Sequence, residues 1–546
     1  MRPTSWRSDV AVSLALFAVA ATAFRDILAL PWTGIDAFPT ILAASADSFG
    51  DLIGVFGREL RGGAEEVIGY YRPLTLLTYT IDHALWGWAP RGYHLTDLLV
   101  HALATVSVFW LARVAFGRAR WAAASVALLF ALHPTTIELV PAITRRQEPL
   151  LVIGICVAIL GARSIDRRSG WLTMVIGSVI AAMSVERGLA IPGIVFAYLL
   201  VRADPITPLL LRARSALRET APVLAVALIV YGMRALVVTG SGVTFTPGTA
   251  LRIPFRVGLA LVYPQQLFDL RAPSAPLGIV LFLAIAIAIG AGAVWLLARS
   301  RERWIYWFAL MSIAAYFGLF SIAGQGNPWY AYTAVPAYAL ALVALAQEGV
   351  RAARERRRMV AGGTLVTAAI LVAAVTIPSP AFHRYGAWRE AGRLGRAVLQ
   401  DLQAAADTLS DDVSIVAINV PSYFRESDSD YLVTNTASIL LTHAIDAWRT
   451  VRDVKNPVVM LGASRQVASF AMPHIEFTGT DSVRIFFDTG HASYDDPAPI
   501  AGTPLPPRLG RGHTFAWPPA PAPLAVFVFD GQRLRGLRVA VPEGLP

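Results

Sequence analysis

From Tyr70 to Glu148 the chain reads YYRPLTLLTYTIDHALWGWAPRGYHLTDLLVHALATVSVFWLARVAFGRARWAAASVALLFALHPTTIELVPAITRRQE. Ionisable residues sit here inside some of the most apolar sequence of the protein: Arg72, Asp82, His83, His94, Asp97, His101, His133, Glu138, Arg145, Arg146 and Glu148. A charge at bilayer depth is costly unless it is paired or faces a cavity, so each of these is a functional candidate by default.

Working outward, composition sets the class. Of 546 residues 55% are hydrophobic and 15% charged, with mean hydropathy +0.54, whereas soluble domains carry about a quarter charged residues. This predicts an integral membrane protein. The formal net charge of +10 does not indicate nucleic acid, because the arginines lie in short loops between apolar segments, the pattern that orients membrane proteins. Cys156 is the single cysteine, which rules out a disulfide within the chain.

Upstream, Arg2 and Arg7 precede an apolar run from Val10 to Phe24 that suits a first transmembrane helix better than a cleavable leader. Residues 33 to 90 then form a long extracytoplasmic loop whose many aromatics, from Tyr70 to Tyr93, suit helices lying in the membrane interface. Downstream, apolar runs near 93–112, 119–133, 149–162, 171–184, 188–201, 221–239, 276–298, 304–323, 329–347 and 360–377 are long enough to span with flanks and tilt. Arginine clusters fall in alternate loops. The alternation holds only if 252–270 is re-entrant, giving about eleven spans, a cytoplasmic N-terminus and an extracytoplasmic C-terminus.

After residue 378 the pattern changes. A helix with an arginine-rich face (HRYGAWREAGRLGRAVLQDLQAAADTL) precedes VSIVAINVP, PVVMLGA, HIEFTGTDSVRIFFDT and PLAVFVFDGQRLRGLRVAV, which read as strands. The expected architecture is therefore an α-helical polytopic membrane domain over 1–378 and a small α/β domain over 379–546, placed as a platform over the site. No 34-residue repeat is present in that second domain.

Arg72-Pro73-Leu74, Gly92-Tyr93-His94-Leu95 with His101 seven residues later, His133-Pro134, and then Glu138, Arg146 and Glu148 together resemble the polytopic GT-C glycosyltransferases. The resemblance is strongest to the TMTC-like branch of the dolichyl-phosphate-mannose-dependent protein O-mannosyltransferases. Thr136, Arg145 and Ile35-Asp36 depart from that branch, which carries a second His, a Gly and a pair of acids at those places. The resemblance implies an inverting transfer of a sugar, most plausibly mannose, from a polyprenyl-phosphate donor to a protein or glycan hydroxyl on the extracytoplasmic face. Asp36, just past the first span, is then the expected base, with Glu138 orienting an arginine or the acceptor.

Such chemistry needs a carboxylate to take the hydroxyl proton and arginines to neutralise the departing phosphate. A guanidinium fork donates two parallel hydrogen bonds to phosphate and keeps its charge in a poorly hydrated place. Arg72 and Arg146 match the family's positions, with Arg145 beside them. Asp47 and Asp51 are weaker rivals to Asp36, since their spacing suits the polar face of a helix. His94 and His101 share one helix face and read as hydrogen-bonding residues of the bundle, His133 as a helix end, and Glu148 and Glu186 as supporting acids. No clustered carboxylate and histidine set points to a metal, and no cofactor is expected. A transporter of lipid-linked substrate and a noncatalytic family member are the competing readings, the first weakened by the lack of internal symmetry.

Overall fold

The computed structural model describes residues 3–32, 37–46, 48–60, 69–117, 119–204, 206–238, 258, 261, 300, 303–323, 328–355, 358–376, 386–418, 420, 442–461, 474–477, 482–486, 512–516 and 524–536. The expected apolar runs fall on helices: α1 (Pro3–Ala23), α5 (Pro90–Phe116), α6 (Arg120–Ala131), α8 (Gln147–Ala162), α9 (Arg168–Ser184), α10 (Ile191–Arg202), α11 (Leu209–Val237), α12 (Arg303–Ala323), α13 (Val335–Arg354) and α14 (Arg358–Thr376). Among the described residues four segments are long and apolar enough to cross a membrane, Trp6–Ala23, Pro90–Phe116, Leu209–Val237 and Trp329–Arg354. The run at 276–298 lies outside the described residues, as does 252–270 apart from Gly258 and Leu261. Leu210, Leu217, Leu228, Ile229 and Leu236 stand exposed along α11. So large an apolar surface is unsuited to water, and together with the apolar helices it makes this an integral membrane protein.

Local sequence explains how the bundle closes. Gly154 and Gly161 of α8 face Gly170 and Gly177 of α9, and a methyl group at Gly161 would lie 2.2 Å from the Met174 nitrogen. Only hydrogen side chains let these two backbones meet, the usual device where helices pack without a hydrophobic drive between them. At the opposite end from the first loop, Asp9 of α1 is 1% exposed. It accepts hydrogen bonds from Arg113 of α5 and Arg120 of α6, each at 2.9 Å, which ties the three helices at their ends.

The first loop contributes α2 (Ala37–Ala43), α3 (Phe49–Gly54) and α4 (Pro73–Trp86). Ser48 caps α3 and Asp51, three residues on, completes the capping box by exchanging hydrogen bonds with it, which explains Asp51 as a helix-start acid. Between α6 and α8 stand the short α7 (Thr135–Leu139) and a 3-10 turn at Ile143–Arg145.

The C-terminal residues form α15 (Gly386–Ala406), α16 (Thr442–Arg452) and strands β1 (Ser414–Ile418), β2 (Val458–Leu461), β3 (His474–Phe477), β4 (Ser482–Phe486), β5 (Gly512–Ala516), β6 (Leu524–Phe529) and β7 (Leu534–Gly536). One sheet has the order β2-β1-β6-β7, parallel except for the β6–β7 hairpin; the other is antiparallel β3-β4-β5. Strand β1 is wholly buried, as the unbroken apolar run SIVAI requires of a central parallel strand. Helix α16 rests on α2, and Trp388, Ile445 and Trp448 join one continuous core with Phe38 and the bundle. The C-terminal region thus sits on the end of the molecule that carries the first loop.

Candidate functional site

Pro73 opens α4, and Arg72 before it has non-helical backbone at φ −136° and ψ 62°. Proline suits the first helical position because it lacks the N–H that would be left unpaired there. Arg72 is anchored across the molecule: its Nε donates to Glu186 Oε2 at 2.9 Å, while the Tyr71 N–H donates to Oε1 of the same carboxylate at 2.9 Å. Glu186 opens the 3-10 turn Glu186–Ala190, which interrupts the chain between α9 and α10. Gly188 makes that turn possible, because a methyl there would lie 1.9 Å from the Ala181 carbonyl oxygen. Burial disfavours the Arg72 charge, but Glu186 and the neighbouring tyrosines outweigh it and hold its pKa above the ordinary arginine value.

The next residue of that turn, Arg187, reaches the other way and pairs with Glu148 in the first turn of α8. Its guanidinium lies 4.3 Å from the Tyr330 ring centroid, as Arg72 lies 4.1 Å from Tyr70 and Arg145 lies 3.7 Å from Trp329. Each arginine is therefore laid on an aromatic face, a contact worth about 0.5–2 kcal/mol that also fixes the plane of the fork. Arg145 donates to the Glu138 carbonyl at 2.6 Å. Arg72 and Arg187 each retain 11% side-chain exposure and Glu186 24%, so the cluster is partly open.

Arg146 differs from expectation. Although it follows Arg145 directly, it turns inward: Nε donates to Asp97 Oδ1 at 2.6 Å, a terminal nitrogen stands 2.6 Å from Asp82 Oδ2, and the same nitrogen donates to the Tyr93 carbonyl at 3.3 Å. Tyr79 covers its face at 4.5 Å, and Thr96 donates to Asp82 at 2.7 Å. The Arg146 side chain is wholly buried. One guanidinium faces two carboxylates here, so its charge is already matched within the protein.

His101 and His133 fasten parts of the bundle together. His101 is hydrogen-bonded through Nδ1 to the Tyr332 hydroxyl at 2.9 Å and through Nε2 to the Ala131 carbonyl at 3.2 Å. His133 bonds Thr135 at 3.0 Å and the Leu261 carbonyl at 3.1 Å, just past the end of α6, and His94 is fully buried in α5. Glu138 is 2% exposed in α7. Asp36 and Asp47 lie outside the described residues; Asp36 immediately precedes α2, all of whose residues from Ala37 to Ile41 are buried. Among the described residues no group of three or more His, Cys, Asp or Glu could hold a metal ion.

Sequence reasoning missed Arg187, Tyr330 and Trp329. Arg187 adjoins a chosen residue, but nothing local shows that Glu186 and Arg187 reach partners on opposite sides. The two aromatics lie far along the chain, in the 3-10 segment Pro328–Ala334, and carry no motif.

No protein-family model matches the chain. Part of it is similar to protein O-mannosyl-transferases: Tmtc3 of Drosophila melanogaster is 34% identical over 171 residues, covering 26% of this chain and 18% of that protein. TMTC3 of Homo sapiens is 30% identical over 134 residues, covering 23% and 14%, and human TMTC2 is 35% identical over 78 residues, covering 14% and 9%. The chain spans less than a fifth of the length of these relatives. The expected resemblance to TMTC-like O-mannosyltransferases therefore holds, over about a quarter of this chain. Among solved structures, the Archaeoglobus fulgidus oligosaccharyltransferase covers 82% of this chain and 67% of its own at 12% identity, with a TM-score of 0.39, too loose a likeness to carry an argument.

Proposed function

We propose that this protein is a membrane glycosyltransferase that moves a sugar, mannose first, from a polyprenyl-phosphate donor to a protein or glycan hydroxyl with inversion. The observation that carries the reading is the partly open cluster in which Arg72 and Arg187, cross-paired through the Glu186-Arg187 dipeptide, lie on Tyr70 and Tyr330. The acceptor oxygen attacks the anomeric carbon while Asp36 takes its proton, and the carbon–phosphate oxygen bond breaks. The polyprenyl phosphate departs with its negative charge on the guanidinium forks of Arg72 and Arg187, Arg145 standing beside them. Such preformed positive groups act where charge develops and need no reorganisation at the moment of reaction. Glu138 positions Arg145 through its carbonyl.

In this reading the N-terminus is cytoplasmic and residues 379–546 form an extracytoplasmic domain over the first loop. The contact of α16 with α2, the helix that follows Asp36, supports that placement. The test is purified protein in liposomes supplied with polyprenyl-phosphate-linked mannose and Ser/Thr peptides. Transfer to peptide with inverted anomeric configuration is the expected result. Failure to consume any polyprenyl-phosphate sugar, with the donor bound or unbound, overturns the proposal.

A further inference from the structure

Arg234, in the last turn of α11, belongs to neither arginine cluster. It is half-buried, and a terminal nitrogen donates to the Gly69 carbonyl at 3.1 Å. Gly69 is buried with φ at +67°, a left-handed backbone that glycine adopts without a steric penalty. Arg72 follows three residues later, so the Cα atoms of Gly69 and Arg72 are at most about 11 Å apart. Between them Tyr71 packs with Val230, Met233 and Val237 of α11, which seats that end of the helix against the first loop. Arg72, Arg187, Arg146, Arg113 and Arg120 each meet a carboxylate. Arg234 meets none among the described residues, so its charge is left over.

The face of α11 that leads to Arg234 is apolar and open. Leu224, Leu228 and Tyr231 follow one another at spacings of four and three residues, which puts them on one stripe of the helix, and Arg234 continues it three residues further on. All three are exposed, on a helix long and apolar enough to cross a membrane. The stripe therefore faces lipid and ends in a cation. That guanidinium can keep Gly69 on one edge and present another to a phosphate, which its planar fork suits. The apolar stripe favours an anion that carries a hydrocarbon chain over a free one. Position favours the donor over a bulk headgroup, because this guanidinium is tied to the segment that leads directly into Arg72. We infer that Arg234 receives the phosphate of the polyprenyl donor as it leaves the bilayer along α11, before Arg72 and Arg187 take it. The inference rests on the reading of those two arginines as phosphate ligands. It makes the α11 side the entrance, and Arg234 a residue that governs capture of the donor and not the speed of sugar transfer.

The test uses the full chain in phosphatidylcholine liposomes, with a polyprenyl phosphate as the probe. A diazirine in its first isoprene units should label α11 peptides, and unlabelled polyprenyl phosphate should suppress that labelling where phosphatidylglycerol and inorganic phosphate do not. The labelling is read on the wild-type protein, so it stands whether or not a variant folds. Arg234→Gln keeps a donor for Gly69 and removes the charge. Binding should weaken about tenfold, and KM for the polyprenyl-phosphate sugar should rise to match, with kcat and melting temperature close to wild type. Arg214→Gln, exposed in the first turns of the same helix, should leave binding and KM at wild-type values. Labels that avoid α11, Arg234→Gln binding as tightly as wild type, or equal suppression by phosphatidylglycerol or inorganic phosphate each overturn the entrance. When any of these appears, a weakened Arg72→Lys confines the failure to the entrance, and an unweakened one extends it to the arginine cluster. A wild-type protein that binds no polyprenyl phosphate overturns both.

Discussion

The arginine-carboxylate cluster around Arg146 and the one around Arg72 and Arg187 are built from the same residue types, and they differ in how far they are enclosed. Around Arg146 the guanidinium is enclosed by Asp82, Asp97, the Tyr93 carbonyl and the Tyr79 ring. Arg72 and Arg187 each pair with a carboxylate and lie on a ring, and each side chain keeps 11% exposure. Charge balance separates them further, since the first has two acids for one base and the second matches Arg72 and Arg187 with Glu186 and Glu148. A buried ion pair is weak evidence for stability, yet breaking one by removing a single partner is costly. The closed cluster therefore reads as a fastener joining α4, α5 and the turn before α8, and the open one as the place where an anion is received.

The largest effect expected from this contrast is structural. Arg146→Met strands two buried carboxylates, at a cost of about 3–5 kcal/mol, against a total stability of about 5–15 kcal/mol. Little monodisperse protein should be recovered in detergent, and what survives should melt well below wild type. A well-folded Arg146→Met variant that has lost only donor binding would break the comparison, because it would put Arg146 in the open class.

Next in size is Asp36→Asn. Asparagine keeps the shape and an acceptor oxygen but cannot take a proton, so sugar transfer should fall by about 10²–10⁴-fold with donor binding intact. Kinetics and equilibrium donor binding on the same preparation check this. More than half the wild-type turnover would hand the base role to Glu138, whose Gln variant is the matching control.

How far this contrast was legible beforehand depends on the range of the signal. The helices were legible because an apolar run long enough to span reports exclusion from water, and SIVAI and LAVFVF were legible as strands in the same way. Arg72, Glu138, Glu148 and Glu186 were legible as residues, because charges stand out against apolar sequence. Their pairing was not, since Arg72 meets Glu186 and Arg187 meets Glu148 across separations of 114 and 39 residues, fixed by helix packing and not by any local preference. Arg145 and Arg146 show the limit most sharply. They are identical neighbours, and only the tertiary backbone around the Ile143–Arg145 turn sends one to Trp329 and the other to Asp97.

A smaller effect sharpens the open cluster itself. Arg187→Lys keeps the charge but gives up the planar fork and its stacking on Tyr330, and one charge-assisted hydrogen bond is worth about 1.5–3 kcal/mol. Donor binding should weaken by about ten- to a hundredfold, with thermal stability close to wild type. Arg72→Lys should behave alike, and a large loss of stability in either would move it to the closed class.

The smallest effect comes from a third environment, where the same chemistry is exposed. Arg393 of α15 pairs with Glu390 at 2.5 Å and also donates to Gln532 at 2.8 Å. Its side chain is 46% exposed and that of Glu390 35%, so solvent screens the pair and ordering two long side chains costs entropy that the attraction barely offsets. Arg393→Ala should change stability by no more than about 1 kcal/mol and leave sugar transfer untouched, with the difference shrinking further in high salt. The measurement is the melting temperature at low and high ionic strength beside a transfer assay. A loss as large as that of Arg146→Met would mean that α15 is held to the sheet by this pair and not by the buried Trp388 and Leu394 beneath it, and the ranking by enclosure would fail at its weakest member.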